Sequence, residues 1–257
     1  MSTDSQTSDS HSQTQGGGSD FARLSGVFSD PDVPERLRRA SPGIFRAAQR
    51  YWHAALSATA LSSRMKELVL VALHGTATSL HSEGIRRHLA RALAAGATEQ
   101  DVLDVLMTIV GISNHALYSA VPLLVRELEA AGEAEGPPPM SAEVQAIKDD
   151  FIRACGFWND QRDVIARMMP DYFAALSQVS TAPWLNGSLS EKERELICIA
   201  IDCTVTHMYE PGLIIHIRHA LQKGATREEI LAVFHLAALT GLEGYVLGAQ
   251  TLFGKSD

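Results

Sequence analysis

Residues 193–241 read ERELICIAIDCTVTHMYEPGLIIHIRHALQKGATREEILAVFHLAALTG, and this stretch decides the fold. Its apolar residues recur at the spacing of a helix rather than a strand. One apolar stripe, at positions i, i+3, i+4, i+7 and i+8, consists of Leu213, His216, Ile217, Ala220 and Leu221. Thr226, followed three residues later by Glu229, has the composition of a capping box and predicts the start of another helix. The stretch therefore predicts consecutive helices.

The same pattern occurs earlier in the chain. At an offset of 128 residues, positions 42–110 align with 170–238 without a gap, and about 20 of the 69 aligned pairs are identical. A period this long indicates a duplicated domain rather than a solenoid repeat. In the first copy the pattern predicts helices over 62–79 and 83–95, and strand signals are missing. The predicted fold class is all-α, a tandem repeat of one helical unit.

Composition divides the chain further. Residues 1–20 are polar and contain no apolar run, which predicts a disordered tail rather than a secretory signal. Residues 132–141 are rich in Pro, Gly and Glu and predict a linker. The first copy is then expected at 21–131 and the second at 142–257.

Charge and cysteine content exclude several classes of protein. The net charge of −8 and the pI near 5.7 argue against a nucleic-acid-binding surface, and no run approaches the 18 apolar residues of a membrane span. Three cysteines (Cys155, Cys198 and Cys203) make no disulfide framework, so we expect buried thiols and a cytoplasmic location. Apolar helix faces favour a homo-oligomer.

A histidine and a glutamate recur in both copies. His88 and His216 fall on the apolar face of the second helix of each copy, and Glu67 and Glu195 fall on the helix before it. A carboxylate on an apolar helix face is costly unless it is paired or functional. One interpretation is a structural tether; the other is a catalytic acid/base pair.

Polar residues near the turn between those helices are candidates for substrate binding. They are His74, His81 and Glu83 in the first copy, and Asp202, His207, Tyr209 and Glu210 in the second. A metal set of His207, Glu210 and His216 stays open as an alternative, but its spacing matches no zinc pattern. We therefore predict no metal and no other cofactor.

These residues resemble the carboxymuconolactone decarboxylase and AhpD-like alkylhydroperoxidase superfamily. The resemblance rests on the Glu-Leu helix start, the histidine and the Gly-Ala-Thr helix cap of each copy, and it covers nearly all of both copies. It implies an all-helical fold that assembles into rings. It also implies two chemistries, a dithiol peroxidase and a decarboxylase that needs no cofactor.

The dithiol of the AhpD-like members lies seven and four residues before the histidine. This chain has His81 and Gly84 at those positions in the first copy, and Tyr209 and Gly212 in the second. Without the dithiol there is no thiol nucleophile and no resolving partner, which argues against peroxide reduction.

The resemblance therefore implies a decarboxylase-like lyase acting on a small cyclic or aromatic-derived acid. His216 or His88 would be the general acid, with Glu195 or Glu67 setting its tautomer and charge. Tyr209 or His81 would contact a substrate oxygen. No arginine that could bind a carboxylate recurs at equivalent inward positions in both copies.

Two other functions stay open. An AhpD-like peroxidase or related oxidoreductase would depend on Cys198 or Cys203, so a thiol-blocking assay would detect it. A non-catalytic ligand-binding scaffold would keep the fold without turnover. The second copy, with its THMYEPG turn, is expected to be the working site.

Overall fold

A computed structural model describes residues 23–133 and 135–254, and the predicted tail at 1–20 lies outside these ranges. Every regular element in the described ranges is helical, which confirms the all-α prediction. Two short 3-10 helices span Leu24–Val27 and Thr240–Leu242. The α-helices are α1 (Val33–Ala40), α2 (Pro42–Ser57), α3 (Ser63–Gly75), α4 (Ser82–Ala94), α5 (Glu99–Ile112), α6 (His115–Ala130), α7 (Ala142–Cys155), α8 (Gln161–Met168), α9 (Pro170–Asn186), α10 (Glu191–Asp202), α11 (Glu210–Gln222), α12 (Arg227–Leu239) and α13 (Glu243–Phe253).

The chain divides into two compact units. The terminal unit comprises described residues 23–57 and 242–254, where α1 packs against α2 and α13. Leu24, Val33 and Trp52 form its buried interior. Because this unit combines a segment before residue 58 with one after residue 241, its boundaries differ from those of the two sequence repeats.

The central unit comprises residues 58–241 and holds both histidine–glutamate pairs. Helices α3 and α10 pack against each other, and α10 is buried from Arg194 to Asp202. Helix α3 also packs against α4, α5 and α12, and α10 packs against α11, α12 and α5. This pattern is unchanged when α3, α4 and α5 are exchanged with α10, α11 and α12, which indicates a pseudo-two-fold arrangement of these six helices around one shared core.

A buried ion pair joins the two copies inside this core. The Arg194 Nη2 atom of α10 donates to the Asp104 Oδ2 atom of α5 at 2.9 Å, and the side chains are 3% and 0% exposed. Arg194 Nη2 also donates to the Leu189 carbonyl at 3.0 Å, while the Leu189 backbone N–H donates to Asp104 Oδ2 at 3.0 Å. The ion pair is therefore tied to the segment that leads into α10.

Helix starts agree with the capping patterns. Thr226 with Glu229 and Thr98 with Asp101 both form reciprocal capping boxes. Helix ends agree less well, because α3 stops at Gly75 rather than at residue 79. The turn that follows is strained in both copies, with Leu80 at φ 43° and the equivalent Met208 at φ 38°. In each copy this turn leads into the next helix, which is α4 in the first copy and α11 in the second.

Two stretches, Glu99–Ala130 and Arg227–Phe253, are long and apolar enough to cross a membrane by length and composition. Core helices of globular proteins pass the same test, and the first stretch carries the buried Asp104. They are weak evidence for a membrane span.

Candidate active site

The second copy brings His216 and Glu195 into direct contact, as predicted. The Nδ1 atom of His216 on α11 lies 2.7 Å from Oε2 of Glu195 on α10, and both side chains are buried. The other carboxylate oxygen lies 3.3 Å from Nδ1 of His219. A glutamate placed this way fixes the ring orientation and the tautomer of its histidine.

His216 is poised to carry a positive charge. Burial opposes its charged form, but its contacts with Cys198 and with the Glu195 carboxylate raise its pKa well above the ordinary histidine value. Burial raises the pKa of the Cys198 thiol, and the neighbouring His216 opposes that shift. In this buried site, the His216 ring can therefore act as a proton donor.

The first copy forms the same contact with a different charge balance. His88 Nδ1 lies 2.7 Å from Glu67 Oε2, and both side chains are buried. Burial raises the pKa of Glu67 to about 7, against the opposing effect of Arg91 and Arg87. Burial and the neighbouring His74 lower the pKa of His88 well below its usual value. His88 is therefore neutral near pH 7, and Glu67 keeps its proton up to about that pH.

The raised pKa of Glu67 predicts a pH-dependent effect of Glu67→Gln on stability. The folded chain holds the Glu67 proton more tightly than the unfolded chain, whose glutamate titrates near 4.3. The wild type is therefore expected to lose stability relative to the variant as pH rises from about 4.3 through 7. We expect the difference in unfolding free energy to shift by about 2–3 kcal/mol in favour of the variant between pH 5 and pH 8. Urea denaturation at both pH values measures it.

The matched control for that measurement is Glu127→Gln, because the Glu127 side chain is 69% exposed. Its stability difference from the wild type should be the same at pH 5 and pH 8. An equally constant difference for Glu67→Gln would show that Glu67 titrates in its ordinary range.

A cavity of about 50 Å³ lies beside His216 in the central unit. It has room for a few water molecules or for a group the size of a carboxylate. Both sequence repeats contribute to its wall. The lining residues are Thr108, Gly111, Ile112, His115, Tyr118, Phe151, Phe157, Asn159, Arg162, Ser180, Pro183, Trp184, Cys198, Tyr209, Gly212, Ile215 and His216.

Arg162 on α8 is the unexpected member of this lining. Its side chain is buried, and its Nε and Nη1 atoms form no hydrogen bond with any residue in the described ranges. Its guanidinium carbon lies 4.1 Å from the ring centroid of Phe151 and 5.4 Å from that of Tyr118. Aromatic faces partly stabilise a cation, but a buried guanidinium with open donors favours an anionic ligand.

Arg162 is not predicted by the sequence repeat, because the first copy has no arginine at the equivalent position. Helix α8 is offset by 128 residues from α1, and the position equivalent to Arg162 is Pro34. The available signal was weak, since QRD at 161–163 reads as an ordinary polar helix start.

Tyr209, which the sequence analysis gives as a candidate substrate-binding residue, lines the cavity beside His216. Its hydroxyl donates to Gln161 Oε1 at 2.7 Å, and burial raises its pKa to about 12, so the phenol keeps its proton. Its ring lies 4.0 Å, centroid to centroid, from the ring of His115. His115 was not predicted as a site residue, because it follows the helices that carry the repeated motif.

Four of the other predicted residues divide into two groups. His74 and His81 pack near His88, with the His74 ring centroid 4.8 Å from that of His88. Glu83 and Glu210 lie exposed in the first turns of α4 and α11, and they line neither the cavity beside His216 nor a second cavity described below.

The alternative metal set is not brought together. Within the described ranges, His207 groups with His115 and Asp202, whereas His216 groups with Glu195 and Cys198. Glu210 belongs to neither group, because its side chain is directed outward from the start of α11.

Comparison with known proteins agrees with this architecture. The model of the carboxymuconolactone decarboxylase family matches residues 42–124 and 170–245. A solved structure from Burkholderia xenovorans LB400, provisionally named a gamma-carboxymuconolactone decarboxylase subunit, is 33% identical. The match has a TM-score of 0.81 and covers 86% of this chain and 88% of that one. No curated protein matches the chain. The two matched regions start 128 residues apart, at the predicted offset, and the chain is a tandem member of the carboxymuconolactone decarboxylase family.

Proposed function

We propose that this chain is a cofactor-independent decarboxylase-like lyase whose working site is the cavity beside His216. The observation that carries the proposal is the open guanidinium of Arg162 in the same cavity as His216, whose ring is held by Glu195. One group can anchor an acid and the other can deliver a proton. Family membership supports the same class of reaction.

The substrate in this proposal is a small cyclic acid with two carboxylates, such as a carboxymuconolactone. Arg162 holds the carboxylate that is retained, through charge-assisted hydrogen bonds. The second carboxylate is the one that is lost, and the apolar lining from Phe157 and Trp184 desolvates it. The cavity volume limits the group beside Arg162 to about the size of a carboxylate, so a ring requires movement of lining side chains.

The chemical step needs only this chain's own groups. The bond between the ring carbon and the departing carboxylate breaks, CO2 leaves, and the electron pair is delocalised onto the conjugated carbonyl of the ring. The His216 imidazolium then donates its proton to the substrate carbon that lost CO2. Before this transfer, the Glu195 carboxylate stabilises the positive charge of the His216 ring. Solvent restores the proton afterwards.

Peroxidase chemistry is less well supported. Burial raises the pKa of Cys155 and of Cys203 to about 12, and it also raises the pKa of Cys198. A thiol that stays protonated is a poor nucleophile towards peroxide. The proposed partners remain a small molecule and, through apolar helix faces, further copies of this chain.

Replacing Arg162 with methionine tests the anchoring role. Loss of a charge-assisted pair worth about 1.5–3 kcal/mol should raise KM for 4-carboxymuconolactone by roughly 10- to 100-fold. The same change removes a buried charge, so Tm without substrate should rise by a few degrees. Following CO2 release and thermal unfolding measures both effects.

Arg162→Lys and Arg153→Met are the controls. The lysine keeps the charge and should recover part of the affinity, and Arg153 is exposed on the neighbouring α7. Unchanged KM in Arg162→Met, with turnover intact, would exclude Arg162 as the anchor. Absence of turnover in the wild type with small cyclic acids would favour a ligand-binding scaffold.

A further inference from the structure

A second cluster of ionisable side chains lies on the other side of His115 and Tyr209. It consists of His115 at the start of α6, Asp202 at the end of α10, and His207 in the turn before α11. We refer to it as the His–Asp–His cluster. Acid/base chemistry at His216 makes no use of it, and the sequence repeat does not predict it.

Three ligand atoms converge within this cluster. His115 Nδ1 lies 3.0 Å from His207 Nε2 and 3.2 Å from Asp202 Oδ1. His207 Nε2 lies 3.5 Å from the same carboxylate oxygen. Donor atoms bound to one metal at about 2.0–2.2 Å are separated by about 3.0 Å at right angles and by about 3.4 Å at the tetrahedral angle. The observed triangle falls close to this range.

The spacing of the three donor atoms also allows one ion to bind all of them. A point about 2.1 Å from all three atoms lies roughly 0.9 Å out of their plane, so an ion reaches each ligand from one side. Two imidazoles and one carboxylate on one side of an ion leave further coordination positions open. This donor set suits a divalent transition metal better than calcium or magnesium, which prefer all-oxygen ligands.

Asp202 supplies a second observation. Its side chain is 0% exposed, and neither carboxylate oxygen forms a hydrogen bond of good geometry with a residue in the described ranges, although the two imidazoles are close. A fully buried carboxylate is costly unless it is well paired or coordinates a metal. Gly212 packs closely against this carboxylate, since a Cβ atom at Gly212 would lie 2.4 Å from Asp202 Oδ2.

The cluster opens onto a larger cavity of about 410 Å³ in the central unit. His115, His207 and Tyr209 line it, together with the hydroxyl-bearing residues Thr76, Thr78, Ser113, Ser119 and Thr206. Water or an anionic ligand in this cavity could complete the coordination of an ion. We propose that His115, Asp202 and His207 form a binding site for one divalent transition-metal ion, with zinc as the representative ion.

This inference is independent of the proposed lyase activity and departs from the sequence-based expectation of no metal. His115 and Tyr209 also form part of the wall beside His216, so an ion would hold that wall in place. A failure of zinc binding leaves the His216 chemistry untouched. A failure of decarboxylation leaves the metal site untouched.

Metal titration of the full chain tests the site. Protein stripped with a chelator, with its helix content verified by circular dichroism, is titrated calorimetrically with Zn²⁺ and spectroscopically with Co²⁺. We expect one ion per chain and the visible absorption of Co²⁺ bound by nitrogen and oxygen ligands. His207→Gln and, separately, Asp202→Asn should weaken binding by about 100-fold or more, because one of three ligands is lost.

His235→Gln is the matched control, since His235 is an exposed histidine outside the cluster, and it should bind zinc like the wild type. His207 is partly exposed, so its replacement should fold even if Asp202→Asn does not. The proposal is overturned if the wild type takes up no ion, or if a folded His207→Gln keeps the wild-type affinity. The second result would place the ion elsewhere, for example at Glu195, Cys198 and His216.

Discussion

His216→Asn is expected to lower kcat for decarboxylation by about 10²- to 10⁴-fold, the usual contribution of a positioned general acid. An asparagine amide can take the place of Nδ1 and keep the contact with Glu195, but it has no proton to give. KM should change little, because Arg162 still anchors the substrate. Fixed-time assays of CO2 release from 4-carboxymuconolactone measure the effect, and circular dichroism verifies that the variant is folded.

His88→Asn is the matched control, because His88 forms the same 2.7 Å contact with its glutamate. It should leave most of the activity, since His88 is held neutral and does not line the cavity that contains Arg162. The wild-type rate should also fall in alkaline solution, when His216 loses its proton. Equal losses in the two variants would mean that both copies work, and full activity of His216→Asn would end the acid/base proposal.

Arg194→Met should destabilise the protein by about 3–5 kcal/mol, because it leaves the buried Asp104 carboxylate without its cation. The loss is large relative to a typical unfolding free energy of about 5–15 kcal/mol. It should also loosen the junction between the copies, since Arg194 and Asp104 come from different repeats. Urea denaturation monitored by circular dichroism measures it.

Arg126→Met supplies the comparison, because Arg126 pairs with Glu127 on the surface and both side chains are more than two-thirds exposed. It should change stability by less than about 0.5 kcal/mol. The double variant Arg194→Met with Asp104→Leu should recover part of the loss, because no buried charge remains. A single Arg194→Met variant within 1 kcal/mol of the wild type would contradict the assigned role.

The repeated pair was predictable because its geometry is local in a helical hairpin. His216 and Glu195 are 21 residues apart on consecutive helices, and the apolar periodicity placed both on inward faces. The first copy repeats the same pattern with His88 and Glu67, which made the pair easier to recognise. The fold class followed from the same periodicity, since no strand pattern competed with it.

Arg162 and His115 were not predictable in the same way. Arg162 reaches the cavity from a short helix that has proline at the equivalent place in the first copy, so duplication gave no signal. His115 meets His207 across 92 residues of sequence. Contacts of that span depend on how the copies pack, which periodicity within one helix does not encode.

The repeat boundaries at 21–131 and 142–257 stay predictions from the sequence, and the compact units divide the chain at other residues. Helices α3 and α10 share one core, so the contacts that stabilise each copy come in part from the other. Apolar periodicity reports that a helix face is buried, but it does not report which helix covers it. This is why the repeat was evident and its packing was not.

The pseudo-two-fold core has an evolutionary consequence. In an assembly of identical single-copy chains, every mutation appears at both related sites at once, so neither site can change alone. Joining the two copies in one gene removes that restriction: Arg162 can arise opposite Pro34, and Asp202 opposite His74, without duplication of either change. Fusion thus lets one copy carry a buried arginine and a buried carboxylate that the other copy lacks, while both copies keep the same interior helices.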